Sequence, residues 1–217
     1  MMWVLLQHFD TDFSDATGRH VPVVSNTTIS ATHTKFGASS ALFNSAAFNS
    51  YLRITDNLSD LTFAGDFTVD LWFYPNDFAN GANFFNSGSN DLIIYMPAIG
   101  GPGGPIDVYM NASAITGTTS LATGQWYHVA LTRASGTVYL FVNGVLQGTY
   151  ASSATIPCAT AAWIGAHFSG GQLTGGWIDE FRIINGSAAW TANFTPPSSA
   201  YTVPGTAAVK ESMFLVM

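Results

Sequence analysis

Carboxylates are the first residues to weigh, because two of them flanking one bond are what glycoside hydrolysis needs. The chain has only two glutamates, Glu180 and Glu211. The strand-borne aspartates Asp66 and Asp70 lie among Phe, Val and Trp, with no third carboxylate two residues further on. Asp179 and Glu180 are adjacent, and strand alternation sends neighbours to opposite faces. Paired acid chemistry is therefore not expected. A Ser-His-Asp centre lacks its nucleophile elbow, since no G-x-S-x-G occurs. His128 sits mid-strand between Tyr127 and Val129 and reads as a buried, hydrogen-bonded histidine rather than a base. Cys158, the single cysteine, has no basic neighbour to lower its pKa and reads as a small buried side chain. No intrachain disulfide can form.

The elements that would position any site are strands. The stretch QWYHVALTRASGTVYLFVNGVLQGTY, residues 125–150, holds three β-branched and aromatic runs separated by turn signals. Asn143-Gly144 suits a two-residue turn with positive φ at both positions. Ala134-Ser135-Gly136 suits a three-residue hairpin, which would place Tyr127, Val129, Leu131, Tyr139, Phe141 and Leu146 on one face. Both faces are apolar enough to need cover, so a second sheet is expected. DFTVDLWFY, residues 66–74, alternates Phe67, Val69, Leu71 and Phe73 against Thr68, Asp70, Trp72 and Tyr74. Leu58–Leu61 reads as one helical turn. Residues 185–201 are irregular and expected to pack back through Trp190 and Phe194. The glycine-rich 100–105 segment has no following helix and no GK[ST], so it reads as a surface loop rather than a phosphate cradle. The fold class is all-β: a two-sheet antiparallel jelly-roll β-sandwich, with residues 1–201 as one domain and 202–217 as a tail that could dock a partner. A sandwich of this length fits in one unit.

Composition narrows the partners. Net charge is −7 with six Lys and Arg in all, too few for the basic stripe that nucleic acid requires, and an anionic membrane surface is disfavoured likewise. No apolar run reaches membrane-spanning length. The first residues lack a basic start and a long apolar core, so no export signal is expected. Only 9% of residues are charged. Such a surface, polar through Ser, Thr, Asn and Gly, suits a protein working outside cells or in a dense assembly.

LLQHFD at 5–10, KFGASSALFN at 35–44, DFTVDLWFYP at 66–75, WYHVALTRASGTVYLFVNGVLQG at 126–148 and WIDEFRIINGSAAWTANFTPP at 177–197 occur in a telling order. Together they resemble the concanavalin A-like lectin/glucanase superfamily, in its laminin-G-like jelly-roll form, over nearly the whole chain to Tyr201. The closing W-T-x-N-F-T-P-P phrase is similar to the version common in bacteriophage structural and tail-associated proteins. The resemblance implies a non-catalytic binding module of a virion, made in the host cytoplasm, with other virion proteins or copies of itself as partners and cell-surface glycans as ligands. The alternative is a free, extracellular lectin-like protein.

Two sites follow from the same resemblance. Such modules bind glycans through exposed aromatic rings, which makes Trp72, Tyr74, Tyr95, Trp163, His167 and Trp177 the candidates, with the Asn- and Gly-rich residues 76–90 as a recognition surface. Such modules also hold a structural Ca²⁺, for which Asp10, the Gly37 carbonyl and Asp179 occupy the matching places; calcium takes six to eight oxygens of this mixed kind. The plainer alternative is that Asp10 caps a turn and Asp179 pairs with Arg182 or Arg53.

Overall fold

The computed structural model describes residues 2–46, 49–98, 103–169 and 174–204. Fifteen strands run through them: β1 Met2–Gln7, β2 Val23–Ser25, β3 Thr27–Ser30, β4 Ser40–Phe43, β5 Tyr51–Ile54, β6 Phe67–Pro75, β7 Ala82–Asn86, β8 Ile93–Met96, β9 Asp107–Tyr109, β10 Ser113–Thr116, β11 Tyr127–Ala134, β12 Thr137–Val142, β13 Val145–Ala151, β14 Ala162–Ile164 and β15 Gly176–Asn185. A single 3₁₀ turn, Leu58–Leu61, falls where the sequence places it. No helix among the described residues is long and apolar enough to cross a membrane.

The strands form two antiparallel sheets, as the jelly-roll reading requires. The first has the order β13-β12-β11-β6-β15-β4-β3, with β1 pairing a further stretch of β15. The second has the order β10-β9-β8-β7-β14-β5-β2. Between them lies one apolar core. Phe67, Val69, Leu71 and Phe73 of β6 point into it, as the alternation in the sequence says, with Val129, Leu131, Ile178, Phe181 and Ile183 beside them. From the second sheet come Phe84, Phe85, Ile94, Val108 and Ile164. Phe63 stacks on Phe67 at 4.6 Å, and Phe73 meets Phe84 edge-on at 4.9 Å.

The Asn143-Gly144 turn has both residues at positive φ, 49° and 75°, as expected. The preceding hairpin differs from the sequence reading. Ala134 pairs with Thr137, which leaves a two-residue loop, and Ser135 joins Gly136 at positive φ. That shorter loop moves the register by one, and a one-residue slip exchanges the faces of a whole strand. Val138, Leu140 and Val142 therefore face the core with Tyr127, Val129 and Leu131, while Tyr139 and Phe141 lie on the outer face. Cys158 is buried, and burial pushes its thiol up to about 12, so it is a packing residue at neutral pH.

The outer face of the first sheet is covered by the chain itself. Residues 186–204 leave β15 and run back across β6, β11 and the β12–β13 turn as an irregular strap. Thr68 Oγ1 donates to the Ser187 carbonyl and accepts from Ala189 N–H; Thr132 Oγ1 donates to the Trp190 carbonyl at 2.6 Å; Phe194 N–H donates to the Gly144 carbonyl at 2.9 Å. Trp190 and Phe194 stack on each other at 4.0 Å and close edge-on over His128. This is the packing the two aromatics foretold.

Candidate functional site

The residues that first invited a chemical reading turn out to hold the strap. Asp70 is fully buried on the outer side of β6, where Arg182 Nε donates to Oδ1 at 2.8 Å, and His128 Nε2 (3.3 Å) and the Tyr201 hydroxyl meet Oδ2. Burial alone would raise the Asp70 carboxyl, but the Arg182 guanidinium and His128 hold it below the ordinary carboxylate value. Arg182 also lies over the Tyr201 ring, 3.7 Å from its centroid. Asp66 is spent on Ser135 N–H at the hairpin. His128 is buried as expected, though only Nε2 has a partner; Nδ1 has none.

Asp179 and Glu180 do not take opposite faces. A bulge interrupts β15 between Asp179 and Arg182, with Glu180 at φ 50°, and alternation does not survive a bulge. Asp179 Oδ2 accepts from Lys35 N–H (2.9 Å) and Phe36 N–H (3.2 Å), and its Oδ1 from Glu180 N–H. Glu180 accepts from Tyr201 N–H and pairs with His8 Nδ1 at 2.7 Å. Burial pushes the Asp179 carboxyl up to about 7, with neighbouring Glu180 adding to the rise against those amides.

Asp10, Gly37 and Asp179 do converge on one loop. Asp10 Oδ1 accepts from Ala38 N–H at 2.7 Å, and its carboxylate lies so close to Gly37, at φ 62°, that a Cβ there would sit 1.8 Å from it. Asp10 thus caps the turn, whereas the alternative pairing for Asp179 fails, since Arg182 belongs to Asp70. Asp10 Oδ2, the Gly37 carbonyl and the Asp179 carboxylate are oxygens of the kind calcium takes, but three protein groups would need water to complete the shell. Among the described residues no three His, Cys, Asp or Glu side chains are grouped to hold a metal.

The six candidate aromatics divide between the two outer faces of the sandwich. Trp72, Tyr74 and Trp177 belong to the first sheet. Trp72 is 5% exposed beneath Lys35, whose Nζ lies 3.8 Å from the ring centroid. Trp177 is 7% exposed and donates Nε1–H to Ser30 Oγ. Tyr74 is stacked by His33 at 4.1 Å. Their rings are thus largely engaged within the chain. Tyr95 and Trp163 belong to the second sheet and His167 to the loop after β14; the outer face of that sheet carries no strap among the described residues.

Register places the outward residues of that second face in rows. One runs Asp107 (β9), Tyr95 (β8), Asn83 (β7); the next runs Tyr109, Ile93, Asn86, Trp163 (β14), Arg53 (β5). Tyr51 stands edge-on to Trp163 at 4.7 Å, and the Arg53 guanidinium lies over the same indole at 5.4 Å. Asn90, Ile93, Tyr95, Tyr109 and His167 line a cleft of about 180 Å³. His167 Nδ1 is bonded to Ser169 Oγ at 2.7 Å, and burial lowers its pKa, keeping the ring neutral near pH 7.

Among the described residues, buried side-chain polar atoms without a partner occur on the first sheet, at Trp72 Nε1, His128 Nδ1 and Arg182 Nη2, and equally on this face. Asn83 and Asn86 are fully buried at its floor, and Asn83 Oδ1 and Nδ2, Asn86 Nδ2, Asp107 Oδ1 and Arg53 Nε have no hydrogen-bond partner. Leaving such a group buried and unpaired costs about 1–3 kcal/mol. Sequence reasoning found the rings but missed this polar floor. A bulge between Asn83 and Phe85 sends both Phe84 and Phe85 to the core and both asparagines outward, which period-two alternation does not anticipate.

The chain is thus a jelly-roll sandwich whose first sheet is strapped on its outer face and whose second sheet carries no strap among the described residues. The match to known families agrees: residues 44–191 fit the Laminin_G_3 family of the concanavalin A-like lectin/glucanases superfamily, and the chain belongs to it. No curated protein matches the sequence. Among solved structures, domain 4 of AbnA, a GH43 extracellular arabinanase from Geobacillus stearothermophilus, is similar at 22% identity, with a TM-score of 0.66 over 86% of this chain and 94% of that one. A botulinum neurotoxin type C structure matches with TM-score 0.60 at 12% identity, over 83% of this chain and 47% of that one. A SAP-like pentraxin from Limulus polyphemus gives 0.50 at 21% identity, over 65% and 73%. The chain thus spans about half the neurotoxin chain it matches. At these identities the likeness is one of fold.

Proposed function

We propose that the chain is a non-catalytic carbohydrate-binding module whose ligand lies on the open face of the second sheet. The observation that carries this reading is the cleft lined by Asn90, Ile93, Tyr95, Tyr109 and His167, with the half-buried Trp163 ring and Arg53 on the same face. Sugars present an apolar face for stacking and a rim of hydroxyls for hydrogen bonds, and this surface supplies both. Asp107 is the one carboxylate among the outward strand residues of that sheet, while hydrolysis needs two. The similar arabinanase domain was solved with arabinotriose, and the neurotoxin type C structure concerns two ganglioside molecules; both are in keeping with a glycan ligand. In a screen of immobilised glycans, Tyr95→Ala and Trp163→Ala should each weaken binding about tenfold, or ~1.4 kcal/mol, at unchanged melting temperature. Binding that survives both substitutions would refute the site.

The setting we assign is a virion surface, as a capsid decoration, fibre or tail-associated subunit. The W-T-x-N-F-T-P-P strap and the charge-poor composition support it, and repetition on a particle would turn weak sugar contacts into avidity. Gradient-purified particles from a host expressing the chain should contain it; particles without it would favour the free, secreted lectin instead. Calcium at Asp10, the Gly37 carbonyl and Asp179 belongs to the same proposal as a structural ion pinning the 35–38 loop. Excess Ca²⁺ at 100 times its Kd should stabilise the fold by about 2.7 kcal/mol, reversed by a chelator. An unchanged melting curve would remove the ion from the account.

A further inference from the structure

Resting on the open-face reading above, we propose that the ligand is an acidic oligosaccharide, its carboxylate seated on Arg53 at the Trp163 end of the face. The chain spends most of its cations on internal partners. Lys and Arg total six, of which five lie among the described residues. Arg19 pairs with Asp60 and Arg182 with Asp70. Arg133 donates to the carbonyls of Phe63, Gly65 and Ala154. Lys35 rests on the Trp72 ring. Arg53 alone of these five stands on the open face, and its Nε is buried with no acceptor.

Its position is set rather than free. Arg53 is held in β5 between Val23 of β2 and Trp163 of β14, and its guanidinium lies over the indole. With Nε buried, it is the Nη end of the guanidinium that can meet a ligand, and its paired N–H donors match a planar, two-oxygen anion bidentately, which a hydroxyl does not. In a chain of net charge −7, an arginine with no ion-pair partner among the described residues, beside half-buried aromatic rings, is better explained by an anionic ligand than by solubility. The other end of the face is of opposite character. Asp107 lies four strands away, roughly 19 Å at the usual strand spacing, and a carboxylate there accepts from hydroxyls and disfavours a second anion. Between them stand the half-buried Tyr109 and Tyr95 rings and the cleft they line. The arrangement therefore sets a polarity: an oligosaccharide lying across the strands, its acidic unit at Trp163 and Arg53, its neutral units toward Tyr95 and Asp107.

The test uses the full chain and matched pairs of probes, uronate- and sialate-bearing oligosaccharides with their carboxyl-reduced counterparts and sulfated analogues, followed by calorimetry. A carboxylated glycan should bind at least tenfold more tightly than its reduced partner. Arg53→Gln should abolish that difference, bringing the carboxylated glycan down to the affinity of its reduced partner. Arg53→Lys should restore only part of it, because the charge returns without the fork. Equal binding of the pair, with Trp163→Ala still weakening both, would overturn the acidic assignment and leave the open face standing. An Arg53-dependent preference for the sulfated analogue would overturn the carboxylate. Binding indifferent to both Arg53 and Trp163, or no binding by any probe, would overturn the inference together with the face reading. Melting temperatures within error of the parent protein are required of each variant, and Tyr95→Ala at the far end serves as the second probe of the face if Arg53→Gln misfolds.

Discussion

Asp70→Ala is expected to lower the unfolding free energy by about 3–5 kcal/mol, the usual consequence of removing one partner from a buried ion pair. The substitution leaves Arg182 charged in a buried position, strips His128 Nε2 of its carboxylate partner, and frees the Tyr201 hydroxyl. Its effect should be local as well as global. Tyr201 is the point at which the strap returns to β15, so amide exchange should rise first over residues 187–201. The pH dependence follows from the lowered Asp70 pKa. A carboxylate depressed by folding contributes stability that is complete above its unfolded value, near 3.9, and is lost as pH falls through the folded value. The parent protein should therefore keep this contribution throughout the neutral range and lose it in acid, whereas Asp70→Ala should lack that segment of the acid profile. Chemical denaturation at pH 7 and near pH 3 measures both. A loss below about 1 kcal/mol at pH 7 would mean that the network holds nothing.

Gly144→Ala carries the second large effect, for two additive reasons. Gly144 sits at φ 75°, where an L side chain costs roughly 1–2 kcal/mol. Its new Cβ would also lie 1.9 Å from the Phe194 carbonyl oxygen and 3.2 Å from the Pro196 ring. The first contact is backbone, so no rotamer change relieves it; either the hairpin or the strap must move. We expect a total loss of about 3 kcal/mol or more, with the Phe194 N–H to Gly144 bond broken and the stack of Phe194 on Trp190 disturbed. Thermal unfolding together with tryptophan fluorescence reports both. A control at Gly136, also at positive φ but with only Ser153 Cβ nearby at 3.6 Å, should lose only the conformational part. Equal losses at the two positions would show that the strap contact is immaterial.

Much of this architecture was legible from residue order. The alternation in 66–74 names the core face of β6 correctly, Asn143-Gly144 marks its turn, and Trp190 with Phe194 announces a segment folding back. What escaped the sequence shares one physical cause, the interruption of strand periodicity. The two-residue loop at Ser135-Gly136 exchanged the faces of β12, because a serine at positive φ is not signalled by its type. The bulge at Asp179–Glu180 brought two adjacent carboxylates to the same side, and the bulge beside Phe84 gathered Asn83 and Asn86 on the open face. The aromatic candidates divide between the two sheets. Trp72 and Trp177 are as large and apolar as Trp163, and only pairing order tells that the first two lie under Lys35 and against Ser30 while the third stands on an unstrapped sheet. The expected glycine-rich loop at 100–105 and the docking tail at 202–217 both fall partly outside the described residues.

The central claim, that the second sheet's outer face takes the ligand, is tested most directly by where a bound oligosaccharide perturbs the protein. Titration of the isotope-labelled full chain with the tightest glycan from the screen should shift the amide and ring signals of Tyr95, Tyr109, Asn86 and Trp163 together, with one affinity, while Trp72, Trp177 and the strap stay still. Shifts centred on the strapped face instead, or on the 35–38 loop, would contradict the account.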